Sequence, residues 1–370
     1  MKEKPIIPTF VINFTCLAAI VLPNVLDNSQ EIAKLETQKL AKTTSQQITI
    51  KAVGDMVAGT NFPDNRLPAN PHQLFPKSIR DNLKGSNLLF GNYESTLTNH
   101  PNSSKNINLG RVFAFRSPPS YADVLQKAGF NVMSVANNHS MDFGPVGFLD
   151  TVKNLNKVGI KVVGEKEKIT YLNVDNTTVA MIGFCFYQYC NHVNDIESGK
   201  KLITQAKTKA KIIVVSMHVG AEGINAMRVK NETEIFYGEN RGNSVNFARK
   251  MVDAGADMIL GHGPHVPRAM EVYKGKLIAY SLGNFLGYKT LITQGVTGNS
   301  MILEAKVNHN GDFISGNIIP VRLDKIGIPQ IDNTHSTVAI VRSLTKSDFP
   351  HSPINISPKG QISLKQNIKP

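Results

Sequence analysis

Short runs of branched and aliphatic residues recur along this chain, and each gives way abruptly to a polar cluster. Seven runs read as strands: Ile48–Val53, Asn87–Phe90, Asn131–Val135, Thr178–Gly183, Ile212–Met217, Met258–Leu260 and Leu277–Tyr280. Most are apolar at successive positions rather than at alternate ones, the mark of strands covered on both faces. Between them, 3.6-residue periodicity predicts helices over Ser120–Ala128, Val146–Val158 and Val245–Ala254. The last carries Val245, Ala248, Met251 and Val252 on one face and stops at Gly255. Met301–Val307 and Phe313–Pro320 read as a hairpin with Asn310-Gly311 at the turn. Strands alternating with helices argue for a layered α/β domain. From about Asp324 the periodicity weakens and prolines recur, so residues 323–370 read as a peripheral C-terminal tail.

The N-terminus follows a different pattern. Lys2 and Lys4 precede an almost uncharged stretch from Ile6 to Pro23, closed by Asp27, Glu31 and Lys34. Residues 1–28 therefore read as a secretory signal peptide or an uncleaved membrane anchor. The run is about 18 residues, the lower edge for spanning a bilayer. Pro8 and Asn13 argue against a buried core helix, and Asn-Phe-Thr before Cys16 is not a lipoprotein box. Residues 29–46 are polar and read as a spacer. The main domain is expected over residues 47–322, outside the cytoplasm.

Composition changes this picture little. With 41% hydrophobic and 19% charged residues over 370 positions the chain is ordinary globular protein. The formal charge of +13 is spread without a basic block. It reads either as a solvated, self-repelling surface or as attraction to an anionic partner such as lipid headgroups, wall polyanions or an acidic polymer. The absence of Trp and of any basic segment interleaved with aromatics argues against nucleic acid. Cys185 and Cys190 flank Phe186-Tyr187-Gln188-Tyr189, a spacing open to a small disulfide loop or to two unpaired thiols.

The chemistry lies where the apolar runs end. Gly54-Asp55 follows the first strand, and Gly91-Asn92-Tyr93-Glu94 the second. Ala136-Asn137-Asn138-His139, continuing to Asp142 and Gly144, follows the third. His218-Val219-Gly220-Ala221-Glu222, Gly261-His262-Gly263-Pro264-His265 and Tyr280-Ser281-Leu282-Gly283-Asn284-Phe285 follow later ones. Alone, each is an ordinary turn or a solvated side chain. Together they place Asp, Glu, Asn and His at one sheet edge, where ligands bind in open α/β sheets. A mixed imidazole and carboxylate set suits one or two divalent transition ions such as Mn, Zn or Fe. Two such ions would clamp a phosphoryl oxygen and activate an attacking water.

In their order and spacing these motifs, over about residues 47–320, resemble the CapA family of bacterial capsule synthesis proteins linked to poly-γ-glutamate. The resemblance implies a calcineurin-like metallophosphoesterase fold, a four-layer α/β/β/α sandwich. By position it implies metal ligands at Asp55, Glu94, Asn138, His218, His262 and His265, with Glu94 bridging. His139 and Asn138 would serve catalysis, and Asp142 and Glu222 would orient imidazoles or the loop. Three departures stand out. Asp55-Met56-Val57 lacks the histidine of the usual Asp-x-His, Tyr93 replaces an aliphatic residue, and Val219 an aromatic one. Three functions are consistent with this reading. The first is an extracytoplasmic protein supporting synthesis, export or anchoring of an acidic polymer together with capsule synthesis partners. The second is a metal-dependent phosphoesterase acting on an envelope, lipid or nucleotide phosphate. The third is a non-enzymatic module binding an anionic ligand.

Overall fold

A computed structural model describes residues 47–110 and 112–365. The signal or anchor segment, the spacer and Cys16 lie outside the described residues. Strands are numbered in chain order: β1 (Gln47–Val57), β2 (Leu88–Tyr93), β3 (Val132–Ser134), β4 (Lys161–Val163), β5 (Thr170–Val174), β6 (Thr177–Cys185), β7 (Ile212–His218) and β8 (Met258–His262). They continue with β9 (Met270–Tyr273), β10 (Lys276–Ala279), β11 (Asn284–Gly287), β12 (Asn299–Asn308), β13 (Phe313–Leu323), β14 (Pro329–Ile331), β15 (Ile354–Ile356) and β16 (Gln361–Leu364). The helices are α1 (Lys77–Leu83), α2 (Tyr121–Lys127), α3 (Gly144–Lys157), α4 (Ile196–Lys207), α5 (Ser244–Ala254) and α6 (Ser336–Asp348).

Two sheets face each other. The ten-stranded sheet runs β15-β16-β13-β12-β1-β2-β3-β4, with β11 against β1 and β14 against β13. The seven-stranded sheet runs β9-β10-β8-β7-β6-β5, with the short strand Asn191–His192 beside β6. Strand β7 shows why the layers form. Ile212 and Val214 enter the core between the sheets, while Ile213, Val215 and Met217 face the opposite way onto α4 and α5. Because both faces are covered, the strand reads as one apolar run. The outer face of the larger sheet carries Leu89 and Met133 against Ile79 and Leu83 of α1, Leu125 of α2 and Leu155 of α3. The order is helix, sheet, sheet, helix, the four-layer sandwich that the family resemblance implies.

The tail is not peripheral. Strands β15 and β16 extend the edge of the larger sheet, and α6 buries Val338 and Val341 in the inter-sheet core. Ile354, Ile356 and Ile362 join that core. The alternating apolar positions of two short strands are enough to bury one face, although each is too brief to register as a periodic run.

Parallel pairing aims the ends of the central strands one way. β1 to β4 are mutually parallel, as are β6, β7, β8 and β10. Strand β1 runs past its expected end at Val53, because its last residues stay paired with β2, Asp55 opposite Asn92, and also pair with β11, Asp55 opposite Asn284. The register shifts on either side of Asp55. Such an irregularity twists a strand and re-aims a side chain. Gly54 is required there, since a Cβ would lie 1.8 Å from the carbonyl oxygen of Gly283.

Candidate metal centre

The carboxyl edges of the two sheets bring the motif residues together. Asp55 lies two residues before the end of β1, Asn92 lies near the end of β2, and Glu94 follows that strand directly. The Asn137–His139 segment leaves β3, while His218 and His262 are the last residues of β7 and β8, opposite each other in register. His265 stands three residues on, at a φ of 59°. This left-handed conformation is uncommon for a residue with a Cβ and is held here by what its ring contacts.

Asp55, Glu94 and His265 each place a ligand atom within 4.8 Å of the other two. His265 Nδ1 lies 3.2 Å from Asp55 Oδ2 and 2.8 Å from Asn284 Oδ1. Its Nε2 lies 3.7 Å from Glu94 Oε1 and 3.9 Å from Glu222 Oε2. His218 Nε2 approaches Glu94 Oε1 to 3.8 Å. His262 is outside the three-residue group. Its Nε2 faces the Val53 carbonyl at 3.3 Å, while the next amide, Gly263 N–H, donates to Asp55 Oδ2 at 3.2 Å. Glu222 is drawn aside by Arg241, whose Nη1 sits 2.9 Å from Oε1. Val57, at the position of the missing histidine, is fully buried.

Several buried polar atoms here have no partner in the protein: both oxygens of Glu94, Asn138 Oδ1, His218 Nε2 and His262 Nδ1. Orphaned buried polar atoms cost stability unless something else meets them. Five unpartnered buried atoms from four residues, all of carboxylate, amide or imidazole type, form a set whose chemistry fits a divalent transition metal.

The electrostatics agree. Burial pushes the Glu94 carboxyl well above its ordinary range. It pushes Asp55 the same way, but the hydrogen bond and charge of His265 win and hold that carboxyl well below its usual range. Burial alone would strip the proton from His265, yet Glu94, Asp55 and Glu222 hold it there, well above the usual imidazole range. His218, His262 and His139 are pushed down by burial toward the neutral, ligating form. The positive charge among the carboxylates is thus one a bound cation would replace.

Beside the three-residue group, His139 Nδ1 meets Asp142 Oδ2 at 2.8 Å, leaving Nε2 as the other ring nitrogen. Asp142 is fully buried, and its second oxygen pairs with Lys105 Nζ at 2.6 Å. Lys105 also donates to the Asn138 carbonyl at 3.0 Å. Three contributors carry no role in the sequence reading. Asn92 donates to Asp55 Oδ1 at 2.8 Å, and Asn137 donates to Asn92 Oδ1 at 3.0 Å. Both stand inside the recognised motifs, so their position was a signal. Lys105 lies in a polar loop, Asn102-Ser-Ser-Lys-Asn106, with nothing local to mark it.

Residues 49–289 match the family model described as bacterial capsule synthesis protein PGA_cap. The chain is similar to the PGA biosynthesis protein CapA of Bacillus subtilis (strain 168), 31% identical over 273 residues, covering 68% of this chain and 67% of that protein. It is also similar to the capsule biosynthesis protein CapA of Bacillus anthracis, 26% identical over 374 residues, covering 93% and 84%. Among solved structures, a 5′-nucleotidase precursor from Thermus thermophilus aligns at 14% identity and a TM-score of 0.43, covering 81% of this chain and 59% of that chain.

Proposed function

Because the chain belongs to the bacterial capsule synthesis family PGA_cap, we propose that it works outside the cytoplasm in the synthesis, export or anchoring of a poly-γ-glutamate-like polymer, through a cleft that holds one divalent transition metal. The relatives from the two Bacillus species are named for PGA and capsule biosynthesis. The Cys185–Cys190 disulfide suits an oxidising compartment. No described helix is long and apolar enough to cross a membrane.

The observation that carries the proposal is the convergence of Asp55, Glu94 and His265 within 4.8 Å, ringed by unpartnered buried atoms of Glu94, Asn138, His218 and His262. Asp55, Glu94 and His265 hold the cation, with His218, His262 and Asn138 completing its shell. When bound, such an ion polarises a phosphoryl or carboxylate oxygen and lowers the pKa of a water molecule. With Val57 buried where the usual histidine would stand, we assign one ion rather than two.

A second reading, a metal-dependent phosphoesterase, is favoured by His139. Asp142 fixes its Nδ1 and leaves Nε2 to give a hydrogen bond or a proton to an anionic or leaving oxygen. Both readings are tested in a capsule-forming host lacking its own CapA-type protein. Polymer restored by wild type but not by Glu94→Ala supports a working metal cleft. Equal restoration by both removes the cleft from the function. Hydrolysis of model phosphomonoesters or diesters by wild type and not by His139→Ala moves the second reading to the front.

A further inference from the structure

The segment between Cys185 and Cys190 plays no part in the metal centre as described, yet it abuts it. Cys185 ends β6 and pairs in register with His218 of β7. The disulfide closes a loop over Phe186-Tyr187-Gln188-Tyr189, and both sulfur residues pack against Ala136, the residue before Asn137. Within the loop the Tyr187 and Tyr189 rings lie parallel, 7° apart in tilt with centroids 5.3 Å apart. Tyr187 is tied at its hydroxyl to Glu239. The Tyr189 hydroxyl donates to the Asn137 carbonyl at 2.9 Å.

We propose that Tyr189 is a positioning residue for the metal centre and that the Cys185–Cys190 disulfide is the clamp that keeps it in place. The Asn137 carbonyl belongs to the peptide bond joining Asn137 to Asn138. Fixing that oxygen fixes the peptide plane from which the unpartnered Asn138 Oδ1 projects. The same residue reaches the centre a second way, because the Asn137 side chain holds Asn92, which holds Asp55. One hydroxyl therefore restrains two arms of the site, and its own ring is restrained by a stacked neighbour inside a covalently closed loop. Outer partners of this kind commonly set metal affinity without touching the metal.

The proposal rests on the reading of the cleft as a cation site, so its test uses one readout that needs the metal and one that does not. The purified full chain is compared with Tyr189→Phe, which keeps the ring and removes only the hydroxyl, and with the double variant C185S/C190S. Amide hydrogen exchange is measured on metal-free protein, and Mn(II) affinity by electron paramagnetic resonance titration. Both variants are expected to exchange faster over residues 136–142 than wild type, with β7 and α5 unchanged. Both are expected to bind Mn(II) about tenfold more weakly. Unchanged exchange in both variants overturns the clamp. Faster exchange with unaltered Mn(II) affinity overturns its link to the metal centre. A wild-type chain that takes up no Mn(II) overturns the cation reading and that link together, and is told apart because the exchange contrast with Tyr189→Phe persists.

Discussion

His265 Nδ1 lies 3.2 Å from Asp55 Oδ2, although the two side chains come from different sheets. Each is aimed by a departure from regular backbone. Asp55 sits between two register shifts where β1 pairs with both β2 and β11, and His265 takes a left-handed φ just past Pro264. The centre is therefore built from irregularities at strand ends, held in place by two regular sheets.

The tightest of these irregularities is at Gly54. A methyl group there meets the Gly283 carbonyl, and that carbonyl accepts the Asp55 N–H at 2.9 Å. Gly54→Ala is expected to cost about 3 kcal/mol, because backbone rather than a flexible side chain must move. Urea denaturation checks it, with a lowered midpoint at unchanged slope.

Lys105 supports the same site from a loop. Its ammonium meets one oxygen of the fully buried Asp142, which also holds His139. Lys105→Ala leaves that oxygen buried without its cation and is expected to cost about 2 kcal/mol, reduced from a fully buried pair because the lysine is partly exposed. Lys105→Arg should recover part of the loss. Thermal unfolding of the three proteins at one pH measures both effects.

At the far end of the chain, Asp332 accepts four hydrogen bonds, from the amides and hydroxyls of Thr334 and Ser336 at the start of α6. Burial pushes its carboxyl up, but these bonds outweigh burial and hold it below the ordinary range. Asp332→Ala is expected to cost about 1 kcal/mol at neutral pH. The sign follows from the depressed value. The contribution is full above the unfolded-chain value near pH ~4 and is lost as pH falls through the lower folded value, so the gap between wild type and variant closes in acid. Unfolding midpoints across pH measure the gap.

Central strands of the sandwich such as Ile212–His218 were legible because burial on both faces writes a continuous apolar run, whereas short ones such as Lys161–Val163 and Met270–Tyr273 were not read. The end of α5 was legible too, since Gly255 takes the left-handed φ of 116° that closes a helix. Helix α4 escaped the reading because only Leu202, Ile203 and Ala206 carry its buried face amid lysines, although the Asp195 cap was there to be read. In α6 the spacing of Val338, Val341 and Leu344 was present but diluted by Ser, Thr and Arg. At the site, the strand-end polar clusters stood out as a set, although each alone reads as an ordinary turn. What could not be read was who meets whom. Asn92 to Asn137, Lys105 to Asp142 and Tyr189 to Asn137 are long-range contacts, and no local period encodes them.

Everything proposed for the site depends on Asp55, Glu94 and His265 holding a cation. The direct measurement is the metal content of the purified chain by elemental analysis after Mn, Zn or Fe loading and desalting, beside His265→Ala and Glu94→Ala. About one ion per wild-type chain is expected, with loss of most of it in both variants and the variants still folded by circular dichroism. Wild type that retains no metal under any loading, or variants that retain as much as wild type, would contradict it.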